Sequence, residues 1–115
     1  MSFSSDFNNQ RRDARVKVEL VAQISIGSQL TLNGRLKDLS HKSAFIVLKH
    51  SVYLQVNDEV GFLIQLDALN KENVVQGSAR ISRIAPGEGL AIYFTEVEAA
   101  SQLCLKKFLK DTEPV

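Results

Sequence analysis

Cysteine is nearly absent from this chain: Cys104 stands alone. A single thiol makes no internal disulfide, and it has no neighbours at metal-ligand spacing. The two histidines, His41 and His50, define no metal site. Tryptophan is missing and aromatics supply only 7% of the residues. The interleaved aromatics of a single-stranded nucleic-acid platform are therefore lacking. No apolar run approaches the length of a membrane span. Net charge is +1, smaller than a duplex-binding protein usually carries, so no DNA or RNA partner is expected. The opening residues, Met1-Ser2-Phe3-Ser4-Ser5-Asp6, show no signal-peptide pattern, and a soluble cytoplasmic protein is expected. Catalytic constellations are missing as well. There is no carboxylate pair, no nucleophile with its base and no glycine-rich phosphate loop. The expectation is a protein that is not an enzyme and has no resident metal or cofactor.

What is present is apolar material for one core. The chain has 115 residues, 44% of them hydrophobic, which suits a single domain. Residues 1–10 are polar apart from Phe3 and Phe7 and read as a flexible N-terminal lead. Residues 11–115 read as the domain. Charge is unevenly spread. From Arg11 to Lys49 eight cations stand against three carboxylates. From His50 onward six cations stand against nine carboxylates. A positive field concentrated in the first part favours a phosphate-bearing partner there.

The periodicity is that of short strands. Val16, Val18, Leu20, Ala22, Ile24 and Ile26 alternate with mostly polar neighbours, a strand with one buried face. Gly27-Ser28 turns it. A second strand runs through Leu30, Leu32 and Leu36 toward Leu39. Ala44-Phe45-Ile46-Val47-Leu48 reads as a third, more fully buried. Val56 to Asp67 holds the fourth. The stretch from Val74 to Ile84 has neither face cleanly apolar, so its burial direction stays open. Pro86-Gly87-Glu88-Gly89 is a turn, and Leu90, Ile92 and Phe94 mark the sixth strand. Thr95, with Glu98 three residues on, predicts a capped helix start. Val97, Ala100, Cys104 and Phe108 then recur at helical spacing. Leu103, Leu105 and Leu109 widen the apolar arc, either for burial on the barrel or for a partner. The predicted fold is all-β: a six-stranded antiparallel β-barrel with a C-terminal α-helix, closed to protect its edges.

Two motifs carry chemistry. Arg11, Arg12 and Arg15 precede the first strand. Each guanidinium is a planar fork that holds phosphate bidentately and stacks on aromatic planes. On spacing alone the cluster also fits a solvated basic lead into the domain, partly neutralised by Asp13. Asp38 and Ser40 are two apart, so in extended backbone they share a face while Leu39 points inward. A carboxylate accepts from paired N–H donors, and a hydroxyl can donate or accept beside it. The same residues equally suit a strand end that satisfies its own backbone. Arg80 and Arg83 read as surface charges, with one of them a possible flank to the site, and His41 as a solvated turn residue.

Together the motifs resemble the PilZ domain, a bacterial receptor family for cyclic di-GMP. The first motif, an arginine, three residues and an arginine, reads Arg11-Arg12-Asp13-Ala14-Arg15. The second, Asp or Asn, any residue, Ser, two residues and Gly, reads Asp38-Leu39-Ser40-His41-Lys42-Ser43. Gly89-Leu90-Ala91-Ile92-Tyr93-Phe94 looks like the family's last strand. The resemblance implies that Arg11 and Arg15 contact phosphates and stack on guanine, and that Arg12 reaches a second face or nucleotide. It implies that Asp38 and Ser40 hold a guanine edge. Ser43, where the family usually has glycine, completes the candidate ligand-binding set, and Lys42 stands where a second glycine is common. Glycine tolerates positive φ and close ligand approach, which serine does not do freely. The implied function is a cyclic di-GMP receptor that signals to a protein effector as its arginine segment orders on the ligand. Its expected state is a monomer or weak homodimer. The alternative is a PilZ-like adaptor that binds no nucleotide and acts through protein contacts alone.

Overall fold

A computed structural model of the chain describes residues 15–27, 30–48, 54–67, 69–70 and 72–112. Among the described residues six strands, β1 (Val16–Ile26), β2 (Leu30–Leu39), β3 (Ser43–Val47), β4 (Glu59–Gln65), β5 (Val74–Ala85) and β6 (Gly89–Val97), precede one helix, α1 (Ala99–Thr112). All pair antiparallel in the closed order β1-β2-β3-β6-β5-β4, with β4 returning to β1. Every strand is hydrogen-bonded on both sides, as the predicted barrel requires. The expected lead, Arg11 and Arg12 lie outside the described residues.

Inward side chains from every strand meet in one core, among them Ile24, Leu36, Ile46, Ile64, Ile81 and Ile92, each with no exposed surface. Burying such a side chain stabilises the fold by about 1.5–3 kcal/mol. The rings of Phe62 and Phe94 stack with centroids 4.6 Å apart. Their register partners on the intervening β5 are the small residues Gly77 and Ala79.

Two of the register slips decide which residues of β2 and β5 face out. Leu36 and Leu39 are both fully buried although an odd number of positions apart. Strict alternation would put them on opposite faces. The register slips between them: Leu36 pairs with Ile46 and Asp38 with Phe45, leaving Lys37 as the extra residue. This bulge resets the parity of β2. On β5, Ile81 pairs with Ile92 and Arg83 with Ala91, so Ser82 is extra. That slip explains why no clean apolar face was legible there.

The helix begins at Ala99, not at Thr95. Thr95 lies within β6, which continues along β5 until Val97 pairs with Gly77. Gly77 permits this, because a Cβ there would strike the Glu96 carbonyl. The first helical carbonyl is that of Glu98, which accepts the Gln102 N–H at 2.9 Å. The buried stripe is correspondingly displaced by one position from the predicted one, to Ser101, Leu105 and Leu109, with Cys104 and Phe108 half-buried and Ala100 exposed. Ser101 Oγ accepts the Gln76 N–H at 3.0 Å and donates to the Val74 carbonyl at 3.4 Å, docking α1 on β5. α1 is neither long nor apolar enough to cross a membrane. The fourth strand also starts later than expected, because Asn57 turns with φ 78° and gives its N–H to the Ile81 carbonyl.

Ser101→Ala is expected to lower stability by about 1–3 kcal/mol, since it strands a partly buried β5 amide. Thr95→Ala should stay within about 0.5 kcal/mol of the parent. Chemical denaturation of both variants checks this, and equal losses would restore the earlier helix start.

Candidate functional site

The β2 bulge turns Asp38 onto the outer wall of the barrel. Its register neighbours are Lys17 on β1 and Phe45 on β3. Phe45 in turn neighbours Ala91 on β6, and Ala91 neighbours Arg83 on β5. Residues paired in register share a face, so Lys17, Asp38, Phe45, Ala91 and Arg83 form one row across five strands. Cations stand at both ends, with a carboxylate and an aromatic ring between them. Phe45 belongs to a small outer cluster with Ala85 and Ala91, separate from the main core. The Arg83 guanidinium lies over its ring, 5.7 Å from the centroid.

Arg15 joins this row from the start of β1. Its Nη1 donates to Asp38 Oδ1 at 3.1 Å, across 23 residues of sequence. The two side chains are 45% and 24% exposed. A pair this open is worth only about 0–1 kcal/mol, so either partner can be redirected to a ligand at little cost to the fold. The described residues thus bring together Arg15 and Asp38, one from each motif.

Ser40 takes a different position. It has no exposed surface. Its N–H donates to the Ser43 carbonyl at 2.8 Å. Its Oγ accepts the N–H groups of Lys42 and Ser43 at 3.2 and 3.1 Å and lies 3.1 Å from Ser43 Oγ. Ser43 is buried beside it. The Lys42 carbonyl accepts the Phe94 N–H at 2.7 Å, bolting the turn to β6. Both serines therefore close the β2–β3 turn. Ser43 is not in the left-handed region, since Asn57 alone among the described non-glycine residues has positive φ. The turn is built without the conformation that glycine would supply. His41 and Lys42 are exposed and line an open groove of about 390 Å³ beside α1.

Sequence reasoning places Phe45 in a uniformly apolar strand without a face, and reads Arg80 and Arg83 as surface charges or, for one of them, a flank to the site. A run of five apolar residues conceals its parity. Phe45 is buried, at 7% exposed, as that run implied, but Ala44 and Ile46 face the main core, which leaves Phe45 on the outer side of the sheet beneath Arg83.

The PilZ domain family model matches residues 9–111. The chain belongs to the PilZ family. PilZ domains are non-catalytic ligand-binding and adaptor modules. Solved structures agree on the fold. The chain resembles the Bacillus subtilis inhibitor of motility (MotI/DgrA), with a TM-score of 0.72 and 18% identity over 89% of this chain; it spans only 50% of that one. It resembles the PilZ domain of YcgR from Escherichia coli, a structure with c-di-GMP, with a TM-score of 0.70 and 18% identity over 90% of this chain and 91% of that one. The PilZ domain of CeSA from a cellulose synthesizing bacterium gives a TM-score of 0.61 and 18% identity over 84% and 95%. Compared with curated proteins, the chain matches none.

Ser40→Ala should destabilise the ligand-free protein by about 1–3 kcal/mol, because amides that rely on its oxygen lose their acceptor. Thermal unfolding without nucleotide checks this. A variant as stable as the parent would mean that the hydroxyl does not hold the turn.

Proposed function

We propose that this PilZ domain is a cyclic di-GMP receptor whose ligand lies on the outer wall between Arg15 and Arg83. The observation that carries the reading is the Arg15–Asp38 pair, which joins the two motifs on one exposed face. A cyclic dinucleotide offers phosphates, base edges and base planes. Arg15 suits a phosphate, as a charged fork. Asp38 suits the paired N–H donors of a guanine edge. The guanidinium of Arg83 over Phe45 offers a plane for a base. Ser40 and Ser43 serve by fixing the turn that aims Asp38.

Arg11 and Arg12, outside the described residues, complete the cationic clamp in this reading. Arg11 shares phosphate and guanine contacts with Arg15, and Arg12 reaches a second face or nucleotide. Ordering of the arginine segment on the ligand creates the surface that a protein effector reads. Residues 1–10 act as the lead carried against the barrel. The protein works in the cytoplasm, as a monomer or weak homodimer.

One observation favours a second reading. Ser43 replaces the family's usual glycine, and its buried hydroxyl already has a partner in Ser40. A turn closed in this way suits an adaptor that binds no nucleotide and acts only through protein contacts.

Calorimetric titration with cyclic di-GMP, with GMP and GTP as controls, separates the two. Binding is expected, and Arg15→Ala should cost about 2–5 kcal/mol of it. The melting temperature without ligand should barely move, because an exposed ion pair adds little. Unchanged affinity at matched salt would remove the arginine from the site. No binding by the folded parent would favour the adaptor.

Asp38→Ala should reduce preference for guanine more than attraction to phosphate. The carboxylate reads base donors but repels phosphate. Competition between cyclic di-GMP and cyclic di-AMP measures this. An equal fall in both affinities would make Asp38 a structural residue.

A further inference from the structure

The stretch from His50 onward has more carboxylates than cations, yet three of its six cations are gathered on α1: Lys106, Lys107 and Lys110. With Leu103 they stand at positions i, i+3, i+4 and i+7, so all four occupy one helix face. That face is turned from the barrel. Leu103 is 72% exposed and the three lysines are exposed. Among the described residues, the ion pairs are those of Arg15, Arg35 and Arg80, and none involves these lysines. The helix dipole accounts for Lys110 in the last turn but not for Lys106 and Lys107, since its effect fades within a turn.

A groove of about 580 Å³ runs beside this ridge. Leu103, Cys104 and Phe108 supply its apolar side, facing a loop that contributes Asn70. Leu69 in that loop is 96% exposed. An exposed leucine among lysines that have no ion pair with the described residues, next to a partly apolar groove, is well suited to an interface.

We propose that the Leu103 ridge of α1 is a docking surface for an acidic protein segment. The partner presents an apolar side chain to the groove and carboxylates to Lys106, Lys107 and Lys110. Glu72 and Asp111 also line the groove, so the partner's carboxylates fall on the ridge and its apolar anchor enters the groove. A lipid surface fits less well. A helix that lies in a membrane interface inserts a broad apolar face, whereas α1 has committed Leu105 and Leu109 to the barrel. Lys106 also lines the groove that holds His41 and Lys42, whereas Leu103 and Lys107 line the second groove; the test needs no nucleotide.

The test is selection from a random-peptide display library with the whole chain as bait, counter-selected on a Lys106→Glu/Lys107→Glu variant. Enriched peptides should combine Asp or Glu with Leu, Ile or Phe. Synthesised versions should bind at least about tenfold more weakly to that variant and to Leu103→Ser. Their affinity should fall with added salt. Melting curves confirm that each variant is folded, as expected for exposed positions. The proposal is overturned if no peptide is enriched, if enriched peptides lack acidic residues, or if folded variants bind them as the parent does. Vesicles containing phosphatidylglycerol provide the other arm. Binding to them that disappears in the lysine variant would assign the ridge to lipid and overturn the proposal as well.

Discussion

The hydroxyl of Ser40 holds the corner on which the outer wall depends. Buried polar groups are costly unless bonded, and at this corner one oxygen accepts two backbone amides and meets a second hydroxyl. The corner ties β2 to β3, and the Lys42 carbonyl ties it onward to β6. With the corner fixed, the Lys37 bulge has a defined place, and Asp38 points outward while Leu39 fills the core. A looser turn would let the register of β2 drift, and a one-residue slip would exchange the two faces.

From that constraint follows the division of labour on the barrel. Inward positions are apolar and stabilise the closed sheet. The outward row gathers Arg15, Asp38, Phe45 and Arg83 from four strands or their ends. The groups are mutually satisfied without ligand, yet weakly, because water reaches the Arg15–Asp38 pair. Weak internal pairing lets a ligand take over the partners without unfolding the scaffold. A rigid barrel carrying a lightly held charged wall suits the proposed receptor, and it needs no catalytic group.

Much of this was legible in the residues, in uneven measure. The alternation from Val16 to Ile26 specified β1 directly, since each apolar residue of that parity has a core position or packs against one. Six strands and a helix followed from similar patterns. The bulges were not legible, because an extra residue such as Lys37 or Ser82 shows itself only against a partner strand. The helix start was misplaced for a related reason. Thr95 and Glu98 have capping chemistry, but pairing along β5 past Gly77 outweighed that local preference. For the proposed site, the motif spacing placed Arg15 and Asp38 among the candidates. It could not reveal that Ser40 is buried, because a serine at a strand end looks the same whether its hydroxyl faces solvent or backbone. Nor could it pair Arg83 with Phe45, which come from strands separated by β6 in the barrel order.

The central claim is that cyclic di-GMP occupies the outer wall spanned by Asp38, Phe45 and Arg83. The most direct measurement is a titration of isotope-labelled protein with cyclic di-GMP, followed by backbone amide and arginine side-chain NMR signals. The account predicts shifts concentrated on residues 38–45, on Ala91 and on the guanidinium groups of Arg15 and Arg83, with β4 and the far face of α1 little changed. Saturable shifts centred on β4 or α1, or no shifts at all, would contradict it.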